Sequence, residues 1–581
     1  MKLFSKIFLC ALMAIAASFA ETNVIRYEAE DAIIGDDAAI NGGFVSLNGG
    51  YITFDNIEVE KAGKYTITFR YLTPYSDREE YIEVNGSWAV TVHFNQCEEP
   101  EEVSSYISLK AGKNSITIKK YWGWTTFDYI EISPYVSTTP NIDLRSEPVT
   151  PNPTTSAAKL YNFLASNFGK KTISGVMTGS IENYSVGGDV KTIDDVQSVY
   201  SLSGKFPALV GFDFGFSTGK ESGGIWQQNR TAKVLDLAEN LWKQGGIPEF
   251  SWHWRDPSQV TANYNPCTIS EEDCSHFDFT TGFKAGTTEW DTTSATYKAL
   301  IRDIDIVADY FLGMQEKGIA AIFRPLHEAG GPWFWWSTHT GHDFTALFRL
   351  VYDRMVNVKG VRNLVWVLNP SPQDADVSWN PGEAYFDILG DDLYTPKGSH
   401  GSIFATFEEF KSSWSNHKIL AMSELSPIPD IDNMVNDEAV WSYWMVWNGN
   451  QDSTSAEVWK KNMEDSRVIT LEDMPGWDKY SIVDLSSSSA TSSSSEATSQ
   501  SSSSEKTQIF TSAVPRFRVT AINRSILLED APIGAPVTVF DMQGHLLFKS
   551  IANTSSFAFH LQNAGIYLLQ VGSQVQKLQI R

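Results

Sequence analysis

Cysteine, long apolar runs and positive charge are all scarce in this 581-residue sequence. With four cysteines and no suitably spaced histidines, a zinc-binding domain is disfavoured. Lys and Arg total 45 against 70 Asp and Glu, and this charge of -25 argues against nucleic acid or an anionic membrane surface as a partner. Beyond the N-terminus, no segment is apolar over the length that a membrane span requires, which argues against membrane insertion.

The single apolar run, MKLFSKIFLCALMAIAASFA at residues 1–20, has the form of a secretory signal peptide. Two lysines precede its apolar core, and Ser18 and Ala20 provide small residues before a cleavage point. A membrane anchor is the alternative, but the run is short for spanning. We therefore expect a secreted protein, either extracellular or attached to the cell surface.

Loss of Cys10 with the signal leaves three cysteines in the mature chain. Cys267 and Cys274 lie seven residues apart in the polar stretch NPCTISEEDC and can form a small disulfide in an oxidising compartment. Cys97 is then left over as a plain buried or free thiol.

Changes in residue pattern divide the mature chain into five parts. Strand-like alternation at 21–136 predicts a β-sandwich, and a stretch bearing Pro and Thr at 137–156 reads as a linker. Across 157–484, eight short apolar runs alternate with segments of helical spacing, which predicts a (β/α)8 TIM barrel. The serine-rich residues 485–506 form a second linker, and residues 507–581 return to alternating strands in a small β domain.

In a (β/α)8 barrel the active site lies at the C-terminal ends of the strands. The residues that close the eight runs are unusually polar or aromatic: Asp213, His253, Arg324, His327, Glu328, Asn369, Asp391, Tyr394, Glu424, Trp444 and Trp447. Glu328 closes the fourth run and Glu424 the seventh, so we expect them to face one another across the barrel mouth. Such a carboxylate pair indicates glycoside hydrolysis, with one group protonated and the other ionised.

Several of these residues also have a purely structural interpretation. His253 and His327 can be hydrogen-bonded core histidines, while Asp213 and Arg324 can form an ion-pair network that supports the carboxylates. Trp335 and Trp336 are as consistent with packing as with ligand contact. Asp391 and Asp392 can be solvated loop acids.

The stretches RPLHE, GGPWFWW, RLVYDRMVNVKGVRNLVWVLNP, GEAYFDILGDDLY and SELS resemble glycoside hydrolase family 26, especially its β-mannanases. The resemblance implies that Glu328 is the acid/base and Glu424 the nucleophile, with no cofactor required for catalysis. The residues that follow Glu328 are Ala-Gly-Gly-Pro, where some members carry Met-Asn-Gly-Gly, and this departure leaves the subsite preference open.

The same resemblance assigns substrate contacts. It implies that His253 and Trp333 touch the sugar at or near the cleavage point and that Tyr394 lies close to the nucleophile. His327 takes the place before the acid/base where many related barrels carry Asn. Trp447 is expected to form the platform beneath the −1 sugar, and Trp444 competes for that role.

The N-terminal stretches RYEAEDA and YWGWTTFDYIEIS resemble carbohydrate-binding modules of families 35 and 6. That resemblance implies a structural calcium ion held by Glu28, Glu30 and Asp128, although ordinary surface acids are the alternative. Trp122 and Trp124 are expected to line a sugar site. At alternate strand positions, however, one of them can instead be a core residue.

The C-terminal stretches VTVFDMQGHLLF and AGIYLLQVG resemble the sorting domains of secreted proteins in some Gram-negative bacteria. This implies a Gram-negative source and a contact with secretion machinery. A further sugar-binding domain is the competing idea, and the lack of Asp-rich duplicated loops counts against a dockerin.

Together these observations predict a secreted, monomeric, retaining mannan endo-1,4-β-mannosidase that acts on plant cell-wall mannan, galactomannan or glucomannan. The enzymatic alternatives are other family 26 specificities, β-1,3-1,4-glucanase or β-1,3-xylanase. The alternative of another class is a non-catalytic polysaccharide-binding protein, although both expected glutamates are present.

Overall fold

A computed structural model describes residues 24–136, 141–267, 273–370 and 377–485, together with seven strands between 518 and 580. The chain divides into two compact units at the Thr491–Ser492 boundary. The predicted signal peptide, and residues 486–506 of the predicted serine-rich linker, lie outside the described residues. No helix in the described part is long and apolar enough to cross a membrane.

The N-terminal module is a sandwich of two antiparallel sheets, as its alternating sequence predicts. Its strands are β1 (Ile25–Glu28), β2 (Ile33–Gly35), β3 (Ala39–Asn41), β4 (Phe44–Ser46), β5 (Tyr51–Val59), β6 (Gly63–Thr73), β7 (Arg78–Val84), β8 (Ser87–Phe94), β9 (Cys97–Leu109), β10 (Gly112–Lys120) and β11 (Thr126–Pro134). One sheet has the order β3-β4-β11-β6-β9, with β1 paired to β11, and the other has the order β2-β5-β10-β7-β8. Phe94 packs edge-on against Phe69 and Phe127 between the sheets, and Cys97 is a buried free thiol.

Eight parallel strands close into a barrel, which confirms the predicted (β/α)8 fold. They are β13 (Gly175–Met177), β14 (Leu209–Asp213), β15 (Ile247–Trp252), β16 (Ala321–Pro325), β17 (Leu364–Leu368), β18 (Ile388–Tyr394), β19 (Ile419–Ser426) and β20 (Trp444–Val446). The short strands β12 (Thr172–Ile173) and β21 (Val468–Ile469) pair with each other outside the barrel. Each apolar run of the sequence supplies one barrel strand because a strand buried on both faces needs continuous apolar side chains.

Amphipathic helices surround the barrel and bury their apolar stripes against it. They are α1 (Thr155–Asn167), α2 (Asp194–Ser203), α3 (Ile225–Lys243), α4 (Ala295–Glu316), α5 (Gly341–Tyr352), α6 (Phe404–Glu409), α7 (Ile431–Asn436) and α8 (Ala456–Glu464). Helix α5 continues as a π-helix at Asp353–Lys359, and α6 does so at Phe410–Trp414. Helix α5 begins with a capping box, in which the side chains of Thr340 and Asp343 each bind the other residue's backbone N–H.

Short 3-10 helices occur between these elements, at Ala29–Asp31, Val190–Thr192, Phe279–Gly282, Trp335–Ser337, Val377–Trp379, Gln451–Ser453 and Leu471–Asp473.

The sandwich and the barrel belong to the same compact unit and are in direct contact. Lys64 of the sandwich forms an ion pair with Glu438 at 2.6 Å, and its ammonium lies 4.8 Å from the ring centre of Phe404. In the predicted linker, the buried Val149 donates its backbone N–H to Asp387 Oδ1 at 2.7 Å. The described part of this segment therefore packs against the barrel.

The C-terminal unit contains the strands β22 (Arg518–Ile522), β23 (Ser525–Glu529), β24 (Pro536–Asp541), β25 (Leu546–Ile551), β26 (Phe557–His560), β27 (Gly565–Val571) and β28 (Gln574–Ile580). They form a three-stranded sheet with the order β22-β23-β26 and a four-stranded sheet with the order β25-β24-β27-β28. The all-β character predicted for this end of the chain is confirmed.

Candidate active site

The chain turns sharply between β16 and the catalytic candidate Glu328. Leu326 and Glu328 both have a left-handed backbone, with φ of 51° and 50°. That conformation is rarely populated by residues other than glycine and costs about 1–3 kcal/mol. It persists here because Leu326 is buried and the backbone N–H of Glu328 donates to Asn369 Oδ1 at 2.9 Å. The turn presents the Glu328 carboxylate at the open end of the barrel.

Arg324 lies at the centre of the site and is fully buried. Its three nitrogens donate to three carboxylates: Nε to Glu249 Oε1 at 3.0 Å, Nη1 to Asp392 Oδ2 at 2.9 Å, and Nη2 to Glu424 Oε2 at 3.1 Å. Burial opposes the positive charge, but the carboxylates hold the pKa of Arg324 well above its usual range. The arginine therefore stays cationic and fixes the orientation of Glu424.

A second hydrogen-bonded chain links β17, β18 and β19. Asn369 Nδ2 donates to Ser423 Oγ at 2.7 Å and also to Asp392 Oδ1, while Ser423 Oγ donates to Asp392 Oδ1 at 3.0 Å. The side chain of Asp392 has no exposed surface, and Asp391 is buried as well. The interpretation of this pair as solvated loop acids is therefore wrong.

The two predicted catalytic glutamates face one another as expected. Glu328, Asp392 and Glu424 each place one carboxylate oxygen so that the three atoms lie within 4.8 Å of one another. A retaining glycosidase needs its carboxyl groups about 5–5.5 Å apart, and an inverting enzyme about 6.5–9.5 Å. A closest approach of the oxygens below 4.8 Å fits the shorter, retaining separation.

The environment of Glu328 favours its protonated form. Burial and the neighbouring charge of Asp392 raise the pKa of Glu328 to about 7. The indole N–H of Trp333 donates to Glu328 Oε2 and acts in the opposite direction. Glu328 can thus hold a proton near neutral pH, as a general acid must.

Glu424 is surrounded by stronger hydrogen-bond donors. Burial and the nearby carboxylates of Asp392 and Glu328 raise the pKa of Glu424, and Arg324 opposes them. Arg324 and the hydroxyl of Tyr394 donate to its two oxygens, one each. When a pair of carboxylates shares one proton, the negative charge settles where cationic and hydroxyl donors surround it, which is Glu424. The proton then belongs on Glu328.

The two histidines predicted at strand ends occupy different environments. His253 is hydrogen-bonded through Nδ1 to Asp213 Oδ2; although burial opposes ionisation, His253 lowers the pKa of Asp213 to about 2. His327 is 1% exposed, and burial holds its pKa well below the usual value, so its ring is neutral. The two rings are 4.5 Å apart. Only Arg324 of the proposed ion-pair network supports the catalytic carboxylates directly, since Asp213 pairs with His253.

The candidate aromatic residues of the cleft differ in solvent exposure. Trp447 is partly exposed at the end of β20, and its ring lies 5.9 Å from that of His253. Trp444 has no exposed surface, so its prediction as a substrate contact is corrected: its ring belongs to the barrel core. Trp335 and Trp336 are also fully buried and donate their indole N–H groups to backbone carbonyls. Trp333 and Tyr394 remain accessible beside the carboxylates.

The sequence reasoning missed Glu249 and Tyr264. Glu249 is fully buried in β15 beneath Arg324, and its presence in the apolar run IPEFSW was the one available signal. Burial raises its pKa to about 7, with Arg324 acting against that shift. Tyr264 comes from a long loop, where no spacing rule applies, and its ring lies 5.2 Å from that of His253.

A disulfide joins Cys267 to Cys274, as their spacing predicts. Asn265, two residues before Cys267, donates its side-chain amide to the backbone oxygen of Trp333 at 3.0 Å. The backbone oxygen of Tyr264, the residue before Asn265, accepts the backbone N–H of Trp335 at 3.1 Å. The disulfide is thus adjacent in sequence to the residues that hold the backbone of Trp333 and Trp335 in place.

Both candidate aromatics of the sandwich are exposed, Trp122 by 47% and Trp124 by 63%. They lie in a loop after β10, so the alternative that one of them is a core residue is excluded. The buried carboxylate of Glu80 accepts the backbone N–H groups of Tyr121 and Gly123 at 2.9 and 3.1 Å and shapes this loop. Gly123 is required because its φ is +79° and a Cβ there would lie 2.1 Å from Asn48 O.

The carboxylates of the three predicted calcium ligands in the sandwich do not by themselves form a compact site. Among the described residues, Glu28, Glu30 and Asp128 do not bring three ligand oxygens within 4.8 Å of one another. Asp128 instead pairs with Arg70 at 3.3 Å. Since calcium also accepts backbone oxygens, the site stays a prediction.

Two unequal carboxylates that face one another at the C-terminal end of a (β/α)8 barrel define a glycoside hydrolase. The model of Glycosyl hydrolase family 26 matches residues 149–491, and the chain belongs to that family. The model of Carbohydrate binding module (family 35) matches residues 20–135, which identifies the N-terminal sandwich.

Related proteins carry mannanase names. A mannan endo-1,4-beta-mannosidase of Thermothelomyces thermophilus is 29% identical over 80% of this chain and 93% of its own length. A beta-mannanase from a symbiotic protist of the termite Reticulitermes speratus, solved with a gluco-manno-oligosaccharide, is 36% identical over 58% of this chain and all of its own, with a TM-score of 0.51. The Podospora anserina GH26-CBM35 beta-(1,4)-mannanase is 26% identical over 78% of this chain and 99% of its own, with a TM-score of 0.50.

Proposed function

We propose that this protein is a retaining endo-β-1,4-mannanase that hydrolyses mannan, galactomannan or glucomannan by double displacement. The observation that carries the proposal is the carboxylate pair within 4.8 Å, in which Arg324 and Tyr394 stabilise charge on Glu424 while Glu328 holds a proton. The names of the relatives support mannan as the substrate.

In the first step the ionised Glu424 attacks the anomeric carbon of the −1 sugar. A bond forms between the carboxylate oxygen and that carbon, and the glycosidic bond breaks with its electron pair leaving on oxygen. Glu328 gives its proton to the departing oxygen, so a neutral alcohol leaves. Arg324 is already in contact with Glu424 and does not need to move as the charge changes.

In the second step Glu328, now ionised, takes a proton from water as the water attacks the anomeric carbon. The bond to Glu424 breaks, its carboxylate is restored beneath Arg324 and Tyr394, and Glu328 is protonated again. Two inversions at one carbon give net retention. Trp447 provides a flat surface for the −1 sugar, and His253 lies at its edge.

The sandwich supports this activity as an anchor on plant cell-wall mannan. The exposed rings of Trp122 and Trp124 suit stacking on pyranose faces, and direct packing on the barrel keeps the bound polysaccharide near the cleft. We further infer that the protein is exported through its signal peptide and sorted by its C-terminal unit in a Gram-negative bacterium. We also infer that the sandwich binds a structural calcium ion and that the enzyme is monomeric.

The test is release of reducing ends by the purified full-length protein from linear mannan, galactomannan, lichenan and β-1,3-xylan, with product sizes and the anomeric form of the first product. Mannan-selective release of mixed short oligomers in the β form is expected. Glu424→Ala should abolish it. A first product in the α form would overturn retention, and single mannose units alone would overturn endo action.

The other candidate functions have distinct outcomes in the same test. Selective cleavage of lichenan or β-1,3-xylan would replace mannan by another substrate and leave the mechanism intact. Binding to mannan without turnover, unchanged in Glu424→Ala, would indicate a polysaccharide-binding protein.

A further inference from the structure

The three buried carboxyl groups that bind Arg324 differ in the hydrogen-bond donors that they meet. Both oxygens of Glu424 accept a hydrogen bond, one from Arg324 and one from the Tyr394 hydroxyl. Both oxygens of Asp392 do so as well, since Arg324 binds Oδ2 at 2.9 Å while an amide and a hydroxyl donate to Oδ1. Glu249 differs, because Arg324 Nε donates to its Oε1 at 3.0 Å while its Oε2 is buried with no hydrogen-bond partner in the described part of the chain.

The unpaired oxygen of Glu249 lies in a small apolar space beside the neighbouring strand. Glu249 and Gly211 are register partners in β15 and β14. A Cβ at Gly211 would lie 3.0 Å from Glu249 Oε2, and the same space adjoins Met177 Sδ and Met445 Cε. A carboxylate oxygen without a donor is costly to bury among thioether and methyl groups, whereas a carboxylic acid there costs less. The surroundings of Oε2 therefore favour the protonated form of Glu249.

Charged groups around Glu249 act in both directions, and burial outweighs them. Burial raises the pKa of Glu249 to about 7, Arg324 acts against that shift, and the charges of Asp392 and Asp213 add to it. Tyr443 also lies near Glu249, and burial raises the pKa of Tyr443 well above its usual range, so its hydroxyl remains neutral. Since Arg324 already faces Asp392 and the ionised Glu424, a third anion beside it would leave more buried negative charge uncompensated.

We propose that Glu249 is a positioning residue that works as a neutral carboxylic acid. Its proton lies on Oε2, while Oε1 accepts the Arg324 N–H and holds the guanidinium plane in place. The positive charge of Arg324 is then divided between Asp392 and Glu424, and no third anion competes with the nucleophile for it. Glu249 is fully buried beneath Arg324 and does not reach the substrate. The positioning role rests on the proposed function, since it presupposes that Glu424 attacks.

Infrared spectroscopy of the full-length protein tests the protonation directly, because a protonated carboxyl group and a carboxylate absorb at well-separated frequencies. At about pH 5.5, Glu249→Gln should lose a carboxylic acid band relative to the parent. Glu239→Gln is the matched control. Glu239 in α3 pairs with Lys243 at 2.6 Å and with Lys317 at 2.5 Å, and these hydrogen bonds lower its pKa. The control should therefore lose a carboxylate band instead.

The pH dependence of stability gives a second readout. A glutamate whose pKa rises on folding contributes most to stability below its ordinary value of 4.5, and this contribution is lost as the pH rises through about 7. Glu249→Gln cannot ionise, so its Tm should improve relative to that of the parent between about pH 5 and about pH 8. Glu239→Gln should show no such gain, because a lowered pKa gives the opposite dependence.

Turnover separates a positioning role from packing alone. Glu249→Leu removes the acceptor of the Arg324 Nε–H and should lower kcat about tenfold with KM within about twofold of the parent. Glu249→Gln restores the acceptor and should recover most of that loss. The acidic limb of its pH profile should move by less than about 0.3 unit, because no anion has been removed from beside Arg324.

The proposal is overturned if Glu249→Gln loses no acid band, or if its Tm does not gain on the parent as the pH rises. A downward shift of the acidic limb would also overturn it, because loss of an anion beside Arg324 lowers the pKa of Glu424. Equal kcat in the Gln and Leu variants would refute the positioning role. Failure of the proposed function looks different, since the infrared and thermal readouts require no substrate and stand whichever glycan is cleaved.

Discussion

Arg324 Nη2 donates to Glu424 Oε2 at 3.1 Å while its other two nitrogens are bound to Glu249 and Asp392. The guanidinium therefore cannot rotate away from Glu424 without losing hydrogen bonds to two buried carboxylates. The stabilisation of the negative charge on Glu424, in β19, therefore depends on side chains from β15, β16 and β18.

Arg324→Lys tests this connection. A lysine keeps the charge but cannot bind three carboxylates in one plane, so kcat should fall on the order of 10²-fold. Arg354→Lys is the matched control, because Arg354 forms a two-pronged pair with Asp305 at 2.7 and 2.6 Å on the outer helices. Its kcat should stay near that of the parent enzyme. Equal losses of kcat in both variants, with equal losses of stability, would contradict a catalytic role for Arg324.

The pH profile reports the proton on Glu328. Since burial and Asp392 raise the pKa of Glu328 to about 7, activity should fall as the pH rises through that value and the general acid loses its proton. The Trp333 N–H stabilises the ionised form, so Trp333→Phe should move the alkaline limb upward by up to about one unit. Profiles of kcat/KM on a soluble mannan would show this. Trp290→Phe, outside the site, should leave the limb in place, and a downward shift in Trp333→Phe would refute the assignment.

Removal of the acid should depend on the leaving group. Glu328→Ala should slow hydrolysis of mannan by roughly 10²–10⁴-fold, but should slow an activated aryl mannoside much less, because a good leaving group needs no proton. Steady-state rates on the two substrate types give the comparison. Equal slowing on both would assign Glu328 another role.

The disulfide loop should affect both stability and activity. Replacing Cys267 and Cys274 together by serine should cost at most roughly 2–3 kcal/mol of unfolding free energy. It should also lower kcat, because the chain next to Asn265, which binds the backbone of Trp333, would be less constrained. Thermal unfolding and kcat, with and without a reductant, measure this. Cys97→Ser should respond to the reductant like the parent enzyme. The hypothesis fails if the reductant lowers kcat equally in the double-serine variant.

Binding by the sandwich should depend on its exposed indoles. Trp124→Ala should weaken retention on insoluble mannan roughly tenfold, because the Trp124 side chain is 63% exposed and its ring is available to stack on a sugar. Affinity electrophoresis or a depletion assay measures this. Ile25→Ala is the control, since Ile25 is 42% exposed and pairs with Ile132 at the other end of β11. Unchanged retention in Trp124→Ala would place the sugar site elsewhere on the sandwich.

Much of the fold could be predicted because each apolar run has a single plausible role. Runs such as PALVGFDFG and KILAMSELS are too short for helices and too apolar for exposed strands, and both became barrel strands. Glu328 and Glu424 could be placed at the barrel mouth for the same reason, since both end such runs.

Residues whose role depends on long-range neighbours could not be ranked in this way. Trp444 and Trp447 are three residues apart, and only the closed barrel buries one and leaves the other at the cleft. Asp392 looks like a loop acid until Arg324 from another strand is placed against it at 2.9 Å.

The sequence by itself determined the barrel, the sandwich, the carboxylate pair and the disulfide, because periodicity and short spacings are local properties of the chain. Only the tertiary structure decided which donors surround each carboxylate, which tryptophans reach solvent and how the sandwich packs on the barrel. Charge, burial and packing depend on residues that are far apart in sequence, such as Arg324 and Glu424, and no local pattern encodes their distance in space.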